Sequence, residues 1–362
     1  MLIGVPFVDM RTCLLSILIF AILTCNAQKE KNYEIRTIAF YNVENLFDTK
    51  DDSLTFDDDR TPEGKDHWSP ERYRKKIDNI SKVLSEIGST LTGTSPDILG
   101  LCEVENLRVI EDLVHSENLK GKNYGIVHFE SPDERGIDVA LLFKKNIFLP
   151  ISFASRRLLL FDEDGVRNYT RDQLIVAGLL DNEKFYFIVN HWPSRSGGEA
   201  RSRPNRIAAA KLNQHLIDSI RSLDVDARII SMGDFNDDPI NDSFKKVLKT
   251  VGKENNLETG DLYNPMEKLF RKGIGSLAYR DSWNLFDQIY FTENVLEAPL
   301  TSYRFWKAKV FNKHYLVSKK GKYKGYPFRT YSGGSYAGGY SDHFPVFIYL
   351  IRNSPIQHGK GE

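Results

Sequence analysis

An acid and an imidazole stand side by side at Asp342-His343, preceded by Ser341 and followed by the apolar run Phe344-Pro345-Val346-Phe347-Ile348-Tyr349-Leu350. That run reads as a buried strand, and a polar pair at a strand's mouth is where an α/β protein keeps its chemistry. Alone, Ser-Asp-His is an ordinary loop tripeptide. Four other segments share its form, an apolar strand ending in polar groups. They are Phe40-Tyr41-Asn42-Val43-Glu44, Ile98-Leu99-Gly100-Leu101-Cys102-Glu103, Phe187-Ile188-Val189-Asn190-His191 and Ile229-Ile230-Ser231-Met232-Gly233-Asp234-Phe235-Asn236.

Oxygen donors dominate the set Asn42, Glu44, Glu103, His191, Asp234, Asn236, Asp287, Asp342 and His343. No Cys/His cluster of the kind that grips zinc is present. Carboxylates and amides suit a hard, hydrated cation such as Mg²⁺, held by one or two carboxylates and sharing its shell with a substrate phosphate. Two histidines and the remaining carboxylates are left for proton transfer and phosphate contact. The inventory fits metal-assisted hydrolysis of a phosphoester. Each residue also has an ordinary structural reading: Asn42 and Asn236 as turn or cap residues, Asp234 as an N-cap, His191 as a satisfied core histidine. Glu103 resists that reading, because a carboxylate at the end of an apolar strand needs a partner.

The elements that must position these groups follow in chain order. Ile35 to Tyr41 reads as the first strand, and Asp48 to Asp66 as a solvated polar loop with an acidic cluster at Asp57-Asp58-Asp59. Ser69-Pro70-Glu71 is a helix start, with Tyr73, Ile77, Ile80, Leu84 and Ile87 on one face. Ile98 to Glu103 is a second strand, followed by a helix through Leu107, Ile110 and Leu113. Gly136 to Lys144 is a strand, and the stretch from there to Asp172 reads as irregular. Gln173–Leu180 and Phe185–His191 read as an antiparallel pair around Asp181-Asn182-Glu183. A Gly-, Ser- and Arg-rich loop is expected over 193–204, then a helix through Ala209, Leu212, Leu216 and Ile220. A buried strand follows at Ala227–Gly233, a short helix at Ser243–Val251 and a strand around Phe286–Tyr290. Strands and helices alternate with no linker, which predicts one α/β domain with two sheets and helices outside.

Lys+Arg and Asp+Glu both number 49, so net charge sets up no field to recruit nucleic acid, and any electrostatic footprint is local. Leu14–Thr24 is apolar and about half the ~20 residues needed to cross a bilayer. With Arg11 before it and Cys25-Asn26-Ala27 after it, it reads as a signal peptide over 1–27. Lipidation of Cys25 is the alternative. The domain is then expected over 28–352, with a tail over 353–362 and no transmembrane segment in the mature chain. Cleavage would leave Cys102 as the one cysteine, a small buried hydrophobe in its strand, so no disulfide holds the fold. With one cysteine and no heptads, a monomer is expected.

In order, FYNVENLF, LGLCEVEN, VNHWPSR, MGDFNDDP, LFDQIYF and Ser341-Asp342-His343 resemble the motifs of the endonuclease/exonuclease/phosphatase superfamily, that of pancreatic-type DNase and the exonuclease III-like repair enzymes. The likeness runs from Ile35 to Leu350 and looks most like bacterial secreted members. It implies a DNase I-like four-layer α/β sandwich, two mixed β-sheets packed face to face with helices outside. It implies Mg²⁺ as cofactor, with Mn²⁺ or Ca²⁺ as substitutes. Glu103 is then the principal metal ligand, with Asn42 and Asp342 nearby and Glu44 a further contact where repair-type members carry Asp. Asp234 activates or orients the attacking water, and Asn236 holds Asp234 or a phosphate oxygen. Asp287 and His343 form a carboxylate–imidazole pair. His191 contacts the non-bridging oxygens, and the DNase-like form gives protonation of the leaving group to a histidine in its position.

Arg195, with Arg201, Arg203 and Arg206 behind it, and Arg135 are candidate phosphate contacts. Tyr303 to Tyr340 interleaves aromatics with lysines beside Ser341-Asp342-His343, a composition suited to stacking bases and tracking a backbone. The expectation is an exported Mg²⁺-dependent phosphodiesterase acting on nucleic acid, DNA or RNA. A phosphatase or phosphodiesterase for small phosphoesters is the first alternative, and a catalytically dead binding protein on the same fold the second.

Overall fold

The computed structural model describes residues 32–354; the expected signal peptide, Cys25 and all but the start of the expected tail lie outside the described residues. The compact unit Ile35–Arg352 carries the core and the site described below.

Strict alternation along two neighbouring strands sets up the layers. In β1 (Tyr33–Leu46) and β2 (Ile98–Val104), Ile38, Phe40, Ile98 and Cys102 face one side, while Ala39, Tyr41, Leu99 and Leu101 face the other. Both faces are apolar, so both must be covered. Helix α1 (Pro70–Glu86) and helix α2 (Leu107–Val114) cover the outer face with Ile77, Ile80, Leu84, Ile110 and Leu113. Helix α1 starts where Ser69 and Pro70 predict, the Ser69 side chain accepting the Arg72 N–H.

The inner face meets a second sheet. Its strands are β5 (Phe148–Arg156), β6 (Gln173–Leu180), β7 (Glu183–His191), β8 (Ile229–Asp234), β9 (Leu262–Tyr263) and β10 (Asp287–Thr292). Val176, Phe187, Val189, Met232 and Ile289 supply its share of the core between the sheets. At Gly100 the sheets come so close that a Cβ would sit 2.7 Å from the Met232 sulfur, so any larger residue there would push the Met232 side chain aside. Helix α3 (Glu199–Leu223) covers the outer face of the second sheet through Ala209, Ala210, Leu216 and Ile217. The result is the expected helix–sheet–sheet–helix sandwich.

The first sheet runs β11-β12-β1-β2-β4-β3, with β3 at Tyr124–His128, β4 at Asp138–Lys144, β11 at Arg304–Val310 and β12 at Val346–Asn353. The second runs β9-β10-β8-β7-β6-β5. Each sheet holds one parallel pair, β1 with β2 and β7 with β8. The crossover within the first pair carries α1 and that within the second carries α3, as parallel strands require.

The structure corrects the sequence reading in four places. Phe148–Arg156 is an edge strand, not an irregular stretch; Pro150 is tolerated because an edge leaves one side of the strand unpaired. Helix α3 begins at Glu199 and takes Pro204 inside it, within its first two turns, so the expected 193–204 loop is cut short. Strand β1 continues to Leu46. Asp57 is buried and accepts the Asp52 N–H, while Asp58 and Asp59 stay exposed, so the acidic cluster is only partly a solvated loop.

Candidate active site

Register alone brings three of the chemical groups together. His191 is level with Asp234 across the parallel β7–β8 pair, and Asp234 is level with Asp287 across the antiparallel β8–β10 pair. All three side chains are buried. A polar network under this row holds it in place. On α3, Asn213 donates to Asn190 and Gln173, while Asn190 donates to Ser231 and to the Met232 carbonyl. A satisfied buried network of this kind fixes one arrangement of its members.

The first sheet supplies its groups by breaking register. Leu46 pairs with Val104, yet Asn42 pairs with Cys102, so Val43, Glu44 and Asn45 bulge opposite the single extra residue Glu103. Glu44, Asn45 and Glu103 have φ of 51°, 52° and 62°. Left-handed backbone at a glutamate is disfavoured by about 1–2 kcal/mol, and such strain collects at functional sites. The bulge turns Glu103 out of the strand's alternation. Its Oε2 accepts the Asn45 N–H at 2.9 Å, and its Oε1 accepts from Asn42 Nδ2 at 3.3 Å. Asn42 Nδ2 also donates to Asp234 Oδ2 at 3.1 Å, joining the two sheets.

The Ser341-Asp342-His343 turn closes the set. Ser341 Oγ donates to the Asn42 carbonyl and accepts the His343 N–H, which locks the turn to β1. His343 Nδ1 then donates to Asp287 Oδ2 at 2.6 Å, leaving Nε2 directed at Asp234 Oδ2, 3.9 Å away. His191 Nε2 stands 3.8 Å from both Glu103 Oε1 and Asp234 Oδ2. These separations are too long for hydrogen bonds, so the Nε2 atoms of both histidines face the two carboxylates across one hollow without being bonded to them. Asn236, at φ 50°, donates its N–H to Asp234 Oδ1 and its amide to the Trp192 carbonyl. It positions Asp234 and closes the end of β7.

The charges are unevenly matched. Burial alone would lower the His343 pKa, but Asp287 and Asp234 outweigh it and hold the imidazole well above its ordinary range. Burial, reinforced by Asp287 and Glu103, lifts Asp234 to about 6 against the pull of His343. His191 goes the other way: burial, then Arg171, Arg135 and His343, keep it well below its usual value. The site thus holds one protonated and one neutral histidine. A histidine held neutral carries no proton to spare, which weighs against His191 protonating a leaving group.

Asp342 and Glu44 lie beside Glu103 on the first-sheet side, with two cations that the sequence reading did not assign to the site. Lys76 is buried; its Nζ lies 3.7 Å from Glu44 and donates to Thr330 Oγ1 and the Tyr340 carbonyl. Arg329 donates to Asp342 Oδ2 in a short ion pair and to Glu44 Oε1 at 3.4 Å. Burial opposes ionisation of Asp342, yet His343, Arg329 and Lys76 bring its pKa below the ordinary value. Burial, with Asp342 adding, raises that of Glu44 despite Lys76. Lys76 was detectable, since it stands three residues after Tyr73 and four before Ile80, on the apolar face of α1.

This donor set fits a hard divalent cation. Glu103 and Asp342 retain partial exposure, with Asn42 and Glu44 adjacent, and the Cys102 thiol, kept protonated by burial, faces the core. Asp234, Asp287 and His343 also bring one potential ligand atom each within 4.8 Å of one another. The bond from His343 to Asp287 already commits one imidazole nitrogen and one carboxylate oxygen of this trio. A grouping elsewhere, His128, Glu130 and Asp138, is internally satisfied: Asp138 accepts from Ser131 and pairs with His128.

Two arginines diverge. Arg135 is half-exposed beside Asp133 and close enough to lower the His191 pKa, a place from which it can meet a phosphate. Arg195 instead gives its guanidinium to the Asn236 carbonyl, Asp237 and Asn241, clamping the segment after β8. Arg206, buried in α3, joins it on Asp237. Arg171 escaped the sequence reading altogether; it is buried, donates to Asp133 and the Trp192 carbonyl, and sets the charge around His191.

Residues 37–352 match the model of the Endonuclease/Exonuclease/phosphatase family. No curated protein matches the chain. Among solved structures, a Bacteroides thetaiotaomicron endonuclease/exonuclease/phosphatase family protein is 18% identical, with a TM-score of 0.52 over 92% of this chain and 100% of that one. TDP2 of D. rerio in complex with a single-strand DNA product is 15% identical, TM-score 0.51, over 88% and 99%. A mannosyl-6-phosphatase of B. thetaiotaomicron is 17% identical, TM-score 0.50, over 87% and 99%. At these identities the likeness is one of fold.

Proposed function

This chain belongs to the endonuclease/exonuclease/phosphatase family and is a metal-dependent phosphoester hydrolase; from that premise we propose that it is an exported Mg²⁺-dependent nuclease acting on phosphodiester bonds of nucleic acid. The observation that carries the reading is the placement of the basic, aromatic segment. Its lysines at 319, 320, 322 and 324 lead into Arg329, whose guanidinium lies on Asp342 at the site itself. A cationic, tyrosine-rich rim at the mouth suits a polyanion with bases to stack. The Leu14–Thr24 run with Cys25-Asn26-Ala27 supports export. Among the described residues no helix is long and apolar enough to cross a membrane.

Glu103 and Asp342, with Asn42 and Glu44, would hold the cation, which when bound supplies Lewis-acid stabilisation of the phosphoryl oxygens. Asp234, its pKa lifted toward neutrality, takes the proton of the attacking water, and Asn236 keeps its carboxylate turned to the hollow. His343 stays cationic on Asp287 and faces the charge that develops on the phosphoryl group. His191 donates from Nε2 to a non-bridging oxygen.

The test is hydrolysis of plasmid DNA and of bis(p-nitrophenyl) phosphate with Mg²⁺, Mn²⁺ or EDTA, followed over a salt series. Metal-dependent nicking that weakens steeply with salt is expected. Cleavage of the small diester alone would move the assignment to small phosphoesters. A fold neighbour that is a mannosyl-6-phosphatase makes phosphomonoesters the second class to assay.

A further inference from the structure

Beside Asp342 lies a cavity of about 400 Å³ that belongs to neither large sheet. One wall is the hairpin of strands Leu277–Tyr279 and Ser282–Asn284, which pair only with each other. The other wall is the segment from Lys322 to Arg329, so the cavity reaches the site through Arg329 and Asp342. Its surfaces are tyrosine rings and cations, chiefly Tyr279, Tyr323, Arg280 and Lys322.

The hairpin is built with care. Its two-residue turn is Arg280-Asp281, at φ 48° and 62°. That turn asks for Asn-Gly or Asp-Gly, and an arginine there is strained. The strain is held by Tyr326, whose hydroxyl accepts the Asp281 N–H at 2.7 Å and donates to the Asp281 carboxylate. The hairpin is also fastened to the chemistry. Trp283 stacks on Phe344 with centroids 5.9 Å apart, and the Ser276 carbonyl accepts the Phe344 N–H, next to His343. Yet Tyr279 remains 62% exposed and Arg280 is exposed at the tip, although they are the residues suited to grip a ligand.

Resting on the nuclease reading, we infer that this cavity takes one unpaired nucleotide adjoining the scissile phosphate, its base stacked on tyrosine and its own phosphate met by Arg280. The volume suits a single ring with its phosphate and excludes a duplex. Base–aromatic stacking tolerates any base and amounts to roughly five- to a hundred-fold in affinity. The substrate end seated here is therefore single-stranded.

Two experiments separate this inference from the reading beneath it. The first needs no turnover: tryptophan fluorescence of the full chain, titrated with thymidine monophosphate and with ribose 5-phosphate. The nucleotide should bind about tenfold more tightly than the sugar phosphate. Tyr279→Ala and Arg280→Ala should each lose about tenfold for the nucleotide, and Tyr279→Trp should retain it. Equal binding of the two ligands, or unchanged binding in both alanine variants, overturns the inference. The second compares thymidine 5′-(p-nitrophenyl phosphate) with methyl p-nitrophenyl phosphate. Tyr279→Ala should raise KM for the nucleotide ester with kcat unchanged and leave the methyl ester alone; an equal change in both esters counts against the pocket. A wild type that cleaves neither ester and does not nick plasmid DNA sinks the nuclease reading, and the binding titration still decides the pocket.

Discussion

The two halves of the site reach the same hollow by opposite means. On the second sheet, His191, Asp234 and Asp287 line up through unbroken register and are buried, with Asp234 accepting the Asn236 N–H and Asp287 held by His343. On the first sheet, Glu44 and Glu103 arrive through a bulge with left-handed backbone, and their neighbour Asp342 is paired with a half-exposed arginine. On the proposed mechanism the contrast separates two kinds of chemistry. Groups that move protons need defined pKa values, which burial and a regular lattice provide. Groups that hold a cation need oxygens crowded together and open to exchange, which a regular strand with alternating faces does not provide.

The largest effects should come from removing the key group of each half. His343→Ala should lower kcat/KM by roughly 10²–10⁴-fold. Glu103→Ala should match it, with the loss partly recovered at high Mn²⁺; no recovery is expected for His343→Ala. Equal behaviour of the two variants in a metal titration would erase the division between the halves. Next comes the buried cation of the first half. Lys76→Met removes the buried cation beside the Glu44 carboxylate, leaving the part-exposed Arg329 as its one cationic neighbour, and should cost about 3 kcal/mol in denaturant unfolding. Adding Glu44→Gln should restore most of that, because the cost lies in the unpaired charge. A strictly additive double variant would show that the two do not interact.

A third test uses two glutamates at the end of one strand. Glu103 is turned to the hollow by the bulge; Glu105, just past the end of β2, faces the acidic loop and accepts the Asp48 N–H. Burial first, then Asp48, Asp57 and Asp52, push Glu105 from 4.5 up to about 8. The folded chain therefore holds a proton that the unfolded chain has released. Its stabilising effect is complete below the unfolded value and disappears as the pH rises through about 8. The melting temperature should fall between pH 5 and 8, and Glu105→Gln should flatten that slope by a few °C. A slope unchanged by the substitution would remove Glu105 as its source.

The second half was the more readable from sequence. Alternation in Phe187–His191 and Ile229–Asp234 predicts strands, and their polar ends predict the site, because regular structure carries side chains to places that a period of two foretells. The bulge was not readable: Val43, Glu44 and Asn45 look like any three residues, and only the pairing of Asn42 with Cys102 and Leu46 with Val104 shows that they bulge. The same limit hid Arg171 and the hairpin at Leu277–Asn284, whose partners are far along the chain or confer no periodicity. Composition also misled at Arg195. Four arginines near a histidine suggest phosphate, yet Asp237 and Asn241 claim Arg195, and Asp237 with Glu199 claims Arg206. Counter-charges brought close only by folding decide whether an arginine is free.

Arg329 supplies the smallest and sharpest test of the comparison. Its guanidinium lies on Asp342 and Glu44, the oxygens that a cation on this side would use. If those oxygens are exchangeable, as the open half requires, arginine and cation compete for them. Arg329→Ala should then tighten Mn²⁺ binding, measured by titration calorimetry. The pair is partly exposed, so the gain should be about 1 kcal/mol or less, up to roughly fivefold. The same variant should raise KM for a phosphodiester, because a guanidinium displaced by the cation is placed to meet the incoming phosphate. Tighter metal binding with weaker substrate binding is a combination that a purely structural arginine does not produce. Weaker metal binding in Arg329→Ala would instead make Arg329 part of the scaffold that shapes the oxygens, and the open half would prove as rigid as the buried one.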